Sequence, residues 1–209
     1  MSVTHRPASV EACAALVRES ADARRGLRIV GAGTWLDAGH PVQADDLLSV
    51  EAFRGMNIVT PTVHDGRVFT TSYGGGSFLF AVDAANTQKP VEQVWRNKIQ
   101  GYMSTPIVIG GHAYVHLRNQ RFACLDLATG KEAWITKPFG RYWSMVAQGD
   151  RILALDETGE VRLIRATPER FELLGEAKVA TEESWAHLAI EGQELYVRDL
   201  EGLSAYRWK

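Results

Sequence analysis

The sequence is short of cysteine, of long apolar runs and of any surplus of one charge, and each shortage excludes something. Only two cysteines occur in 209 residues, Cys13 and Cys124. They stand far apart without metal or redox spacing, so no such site is built on them. Both have apolar neighbours and are expected to be free, buried thiols. No apolar stretch approaches the roughly 20 residues that cross a bilayer, so no membrane span is expected. The formal net charge is -2, which offers nucleic acid no basic field. The opening residues, MSVTHRPASVEACAALVRES, include acids and lack a long apolar core. They do not form a secretory signal, and the chain as written is expected in the cytoplasm.

Catalytic signatures are missing as well. Of the histidines at 5, 40, 64, 112, 116 and 187, only His112 and His116 are close in sequence. On a strand they would share a face about 13 Å apart. That is too far for one zinc ion with ligands at about 2.1 Å. There is no H-E-x-x-H, no cysteine cluster and no Gly-x-Ser-x-Gly elbow. The GGGSF run at 74–78 reads as a bend in a hairpin. Asp65, Asp150, Asp156 and Glu191 read as solvated turn residues. No catalytic residue and no metal ligand set is assigned.

What is present falls into two parts. Hydrophobic residues make up 45% and charged residues 23%, an ordinary folded composition. Residues 1–50 read as a helix–strand fragment. Ser9 can cap a helix with Glu11 in its first turn. Val10, Cys13, Ala14, Val17 and Ala21 recur at helical spacing. Arg24, Arg25 and Gly26 close that helix, LRIVG is a strand, and Gly31-Ala32-Gly33-Thr34 is a small-residue turn.

From about residue 54 to 209 the pattern is one of short alternating strands. The segments TPTVHDGRVFTTS, TPIVIGGHAYVHL, SMVAQGDRILALD and AHLAIEGQELYVR repeat around Gly66, Gly111, Gly149 and Gly192. Each holds a strand, a tight turn and a second strand, and a third strand follows. The first three have room for a fourth, in VEQVWRN, EAWITK and FELLGEAK. A period near forty built from four short antiparallel strands is the mark of propeller blades. The fold expected is mainly β, a partial propeller of about four antiparallel blades at 58–97, 104–137, 143–178 and 185–208. A short α/β fragment precedes it. Inner strands are expected near 60–64, 105–109, 144–148 and 186–190. A blade buries its faces only by stacking, so open radial faces would favour self-association.

The stretch CLDLATGKEAW at 124–134 resembles the docking motif of the quinoprotein-like (PQQ-like) β-propellers, Ala-x-Asp-x-x-Thr-Gly-x-x-x-Trp, a WD40-like repeat. The resemblance covers roughly 54–209. It implies that Asp126, Thr129 and Gly130 form a turn and that Trp134 docks between blades. Asp83 and Trp95 survive in a drifted copy in blade one, and Phe171 stands in for the tryptophan in blade three. Related propellers are often periplasmic or exported.

Residues 6–39, RPASVEACAALVRESADARRGLRIVGAGTWLDAG, resemble the opening of the FAD-binding domain of glycolate-oxidase-type flavoproteins. That resemblance implies a flavin pyrophosphate turn at Gly31, Gly33 and Thr34, made of backbone N–H groups. Such a domain needs well over a hundred further residues, and the chain turns to propeller sequence within twenty. The turn is therefore expected to be vestigial, with no flavin bound. The join is open to a fused or truncated gene and to a chimera.

Tyr102, Tyr142, Trp143 and Trp185 each lie just before an inner strand. They are expected to converge on one end of the central channel, as a ligand or peptide site or as packing between blades. A bound quinone would need carboxylates and stacking tryptophans from a complete ring, and no adequate set is seen. The function expected is a non-catalytic propeller scaffold for a protein or small-ligand partner. The alternative is an oxidoreductase fragment, dependent on FAD by its opening or on quinone by its propeller.

Overall fold

A computed structural model describes residues 3–30, 46–49, 59–83 and 91–207. The chain forms two compact units, Met1–Gly55 and Met56–Lys209. Gly31, Gly33 and Thr34 lie outside the described residues.

In the first unit, β1 (Thr4–His5) leads into α1 (Val10–Asp22), followed by β2 (Leu27–Val30) and β3 (Asp46–Ser49). Ser9 has extended backbone, and its side chain accepts the Ala12 N–H. This satisfies one of the helix's orphan donors. Arg24, at φ 52, takes the left-handed position after the helix. The covered stripe follows Cys13, Leu16 and Ser20. It runs slightly off the face that periodicity marks, leaving Val17 45% exposed and Ala21 exposed as well. Cys13 is therefore only half-buried, in contrast to the burial expected of it. The strands pair in parallel in the order β1-β3-β2. Buried Asp46 joins three segments by accepting the Val3 N–H and meeting His5 Nε2 at 3.0 Å and Arg25 Nη2 at 2.6 Å.

The second unit is built from antiparallel sheets that follow chain order. Blade one has β4 (Thr62–His64), β5 (Arg67–Ser72), β6 (Gly76–Val82) and β7 (Val91–Asn97). Blade two has β8 (Ile107–Ile109), β9 (His112–His116), β10 (Phe122–Asp126) and β11 (Glu132–Ile135). Blade three has β12 (Trp143–Gln148), β13 (Arg151–Asp156), β14 (Glu160–Arg165) and β15 (Glu172–Lys178). Blade four has three strands, β16 (Ala189–Glu191), β17 (Glu194–Arg198) and β18 (Leu203–Arg207). This is the partial propeller that the repeat predicts. Two-residue turns join the first and second strands. Asp65 and Gly66 both take positive φ, 46 and 68, the mirror-image turn whose twist matches the flanking strands.

Strand alternation explains the stacking. Ala113, Val115 and Leu117 pack with Phe69 and Leu79 of blade one, while Tyr114 packs with Trp143 and Ile152 of blade three. On β13, Ile152 and Ala154 face blade two, whereas Leu153 and Leu155 pack with Leu188 and Leu195 of blade four. A repeated bond adds register. Ser104 Oγ accepts the Trp143 N–H at 3.1 Å, and Ser144 Oγ accepts the Leu188 N–H at 2.9 Å.

The fourth strands carry the docking rings. One bulge interrupts each pairing of third and fourth strands, and the residues just beside it pair as Leu79 with Trp95, Cys124 with Trp134 and Leu163 with Gly175. Trp95 Nε1–H donates to Leu127 O at 2.8 Å, on the turn of blade two. Trp134 Nε1–H donates to Thr167 O at 2.9 Å, on the turn of blade three. That turn of blade two is closed by Asp126 Oδ1, which accepts the Thr129 N–H at 3.0 Å, and by Gly130 N–H, which donates to Asp126 O. Asp83 is exposed just past β6. Phe171 corrects the expectation placed on it. It packs against Phe122, Trp134 and Phe139, on the blade-two side. The register gives the docking position of blade three to Gly175.

Candidate functional site at the turn-bearing end

In each of blades two to four, the segment that enters the first strand meets the turn between the second and third strands. Arg118 N–H donates to Gln100 O at 3.0 Å, and Tyr102 N–H donates to His116 O at 3.1 Å. In blade three, the N–H groups of Arg141 and Tyr142 both donate to Glu157 Oε2, at 2.8 and 3.0 Å. Ser184 N–H donates to Glu157 O at 2.9 Å, and its hydroxyl donates to Arg198 O. The entering segments therefore share one end of the blades.

Of the four aromatic residues singled out from the sequence, Tyr102 is half-buried, Tyr142 buried and Trp185 exposed at this end. Tyr102 lies against Tyr73 of blade one, with ring centroids 6.1 Å apart. Tyr142 stacks on Trp185 at 5.4 Å and 26°. Among the described residues no ring contact joins the two pairs. Trp185 is 41% exposed, and its Nε1–H donates to Glu183 at 2.9 Å. Arg141 bridges Glu183 and Glu157, at 3.3 Å to each. Burial pushes the Glu157 carboxyl up, but the bonds from Arg141 and Tyr142 outweigh it and hold the group below its ordinary range.

Trp143 does not belong to this surface. It is 0% exposed, packed on Phe139 and Phe122 at 4.9 Å each and stacked on His116 at 5.1 Å. Neighbours on an extended segment point opposite ways, so Tyr142 and Trp143 could not both face the mouth. That alternation was the available signal.

Cofactor chemistry finds few uncommitted groups. Among the described residues no three His, Cys, Asp or Glu side chains gather as metal ligands. Asp126 closes its turn, while Asp156 accepts the Thr158 and Glu160 N–H groups and meets Arg162 at 2.5 Å. Trp95, Trp134 and Trp143 are held between blades. Among the described residues these carboxylates and rings are engaged in turns and in packing between blades. Burial raises the Cys124 thiol to about 12, which leaves it un-ionised and inert as a nucleophile.

Spacing in sequence hid another group of residues at this end. Arg96 near the end of β7, and Lys98 and Gln100 on the linker between blades one and two, line two cavities together with the Gly74–Gly76 turn and Arg118.

Comparison with known proteins agrees with this architecture. The family profile described as outer membrane protein assembly factor BamB matches residues 31–136, half of the chain. Its match begins inside the stretch 6–39 that resembles a flavin domain. BamB from Moraxella catarrhalis aligns with a TM-score of 0.57 and 17% identity, over 73% of this chain and 44% of that one. The computationally designed Ika8 protein aligns with a TM-score of 0.54 and 9% identity, over 77% of this chain and 48% of Ika8. The designed Ika4 protein gives a TM-score of 0.54 and 8% identity, over 76% of this chain and 95% of Ika4. The chain thus spans less than half the length of the BamB structure it matches. No curated protein matches the sequence. A family match over half of the sequence, on blades stacked in this way, places the chain in the BamB-type family of PQQ-like β-propellers.

Proposed function

We propose that this chain is a non-catalytic propeller module that binds a protein partner through the turn-bearing end of its blades. The observation that carries the reading is Trp185, an exposed ring laid on Tyr142 with its N–H held by Glu183. An exposed, oriented aromatic is costly to leave in water and is the kind of anchor on which interfaces concentrate their binding energy. The related protein is named an outer membrane protein assembly factor, which supports a protein as the partner. Half-buried Tyr102 lies at the same end, and Tyr142, itself buried, supports the Trp185 ring. No cofactor enters the proposal.

Trp185→Ala tests it. Cross-linking from this surface in a cell extract is expected to recover a partner with the parent chain and to lose it with the variant. The thermal melt should be unchanged. A melt lowered by the few kcal/mol that an emptied aromatic site costs would make Trp185 a packing residue. A stoichiometric flavin or quinone found by mass spectrometry of the intact chain would overturn the non-catalytic reading.

A further inference from the structure

Two cavities of about 520 and 490 Å³ flank the linker between blades one and two and share Lys98 and Gln100 as walls. Arg118 and Asn119 bound the first, with Glu132 and Ile135 of β11. The turn Gly74–Gly76, Arg96 and Asn97 bound the second. A Cβ on Gly75 would meet Ser72 Oγ at 2.1 Å, and one on Gly76 would meet Asn97 O at 2.1 Å. This close approach requires glycine and leaves bare backbone as the floor.

Three cations stand on this groove, and none of them forms an ion pair among the described residues. Two are fixed in place. The Arg96 guanidinium lies 5.1 Å over the Phe78 ring and donates Nη2–H to Gly75 O at 2.8 Å. The Arg118 guanidinium lies 4.3 Å over Tyr73 and donates to Gln100 Oε1 at 3.2 Å, which also accepts the Gly74 N–H. Cations held ready lose little freedom on meeting an anion. In blades three and four Arg141, Arg151, Arg162, Arg165, Arg170 and Arg207 each have a carboxylate partner. On this groove three cations stand beside one lining carboxylate, Glu132.

We infer that this groove takes an extended acidic peptide segment of a partner protein, with its carboxylates on Arg96, Lys98 and Arg118. A lone phosphate would fill one lobe only. Two lobes with cations spread along them match carboxylates carried on an extended backbone, at about 3.3 Å per residue. Asn119 and Gln100 add amide groups able to meet the peptide's own. The inference rests on the interaction-module reading and adds the chemistry of the partner.

The test uses the full chain and a fluorescein-labelled hexaglutamate peptide, followed by fluorescence anisotropy. Binding is expected, weakening as salt rises. Lys98→Glu and Arg118→Glu should each reduce affinity about tenfold, the loss of one charge-assisted hydrogen bond. Arg170→Glu, on the exposed side of blade three, should leave it unchanged, and a hexaglutamine peptide should not bind. Absence of binding, equal loss with Arg170→Glu, or displacement by inorganic phosphate at the peptide's own concentration would overturn the inference. Trp185→Ala separates the two readings. If hexaglutamate fails to bind while Trp185→Ala still abolishes partner recovery, the groove falls and the module stands.

Discussion

The contact between blades two and three and that between blades three and four are built from different materials. The first is aromatic, with Tyr114, Phe122, Phe139, Trp143 and Phe171 in mutual contact and Trp134 hydrogen-bonded to the facing turn. Arg162 caps it, paired with Asp156 and lying over Phe139 at 5.2 Å and Trp143 at 5.9 Å. The second has an aliphatic core, Leu155, Val161, Leu188, Leu195 and Val197, with one ring stack, Tyr142 on Trp185, at its turn-bearing end. It adds the Leu188 N–H bond to Ser144 and a bond from the Tyr206 hydroxyl to Val179 O. No docking ring crosses it, because Gly175 occupies that register. Stacking therefore depends on alternation, and the tryptophan clamp is added to it between the other blades.

The largest break in the comparison is Trp143→Ala. Emptying a fully buried tryptophan site should cost about 3–5 kcal/mol, read from urea denaturation. Leu195→Ala, its aliphatic counterpart between blades three and four, should cost less, toward the lower end of the about 2–5 kcal/mol of a buried leucine truncation. Equal losses would mean that the aromatic contact confers no extra stability.

A change of pH should also act on the aromatic contact first. His116 Nε2–H donates to Gly140 O at 3.0 Å, and its buried Nδ1 has no partner among the described residues. Burial lowers the pKa of this ring to about 4, against the opposing pull of Gly140 O, Glu157 and Asp156. The ordinary value is about 6.5, so between the two the unfolded chain binds the extra proton. Stability is then fully present above pH 6.5 and falls as pH drops toward 4, by up to about 3 kcal/mol. Chemical denaturation at steps from pH 7 to 4 should show this slope in the parent and lose it in His116→Gln. Identical slopes would remove His116 as the cause. Asp156 and Glu157, both held below their ordinary range, lose their contribution at still lower pH.

Much of this was legible because it is local. The turn glycines Gly66, Gly111, Gly149 and Gly192 all take positive φ, and their spacing alone located the blades. Trp95 and Trp134 could be read from the motif. Phe171 misled because ring-for-ring substitution ignores register, and the bulge at Leu163/Ile164 decides which residue faces the next blade. The fate of Trp143 was decided by strand alternation beside Tyr142. The cationic groove could not be read, since it joins the turn at 74–76, the end of β7 with the linker at 98–100, and the turn at 118–119, and only the stacking of blades brings these together.

The smallest effect comes from two glycines that differ in what surrounds them. Gly130 has φ +69, and a Cβ there would lie 2.7 Å from the Trp95 ring. Alanine at that position meets about 1–2 kcal/mol of left-handed backbone strain and pushes the docking ring off its turn. Gly130→Ala should therefore lower stability by about 2 kcal/mol. Gly175 lies on β15 without a positive φ, and a Cβ there meets nothing within 4 Å. Gly175→Ala should raise stability by about 0.5 kcal/mol, because alanine loses less chain entropy on folding. Melting temperatures of the two variants should move in opposite directions from the parent. A drop for Gly175→Ala would mean that a neighbour presses on the blade-three docking register, and the contrast between the two contacts would lose its physical basis.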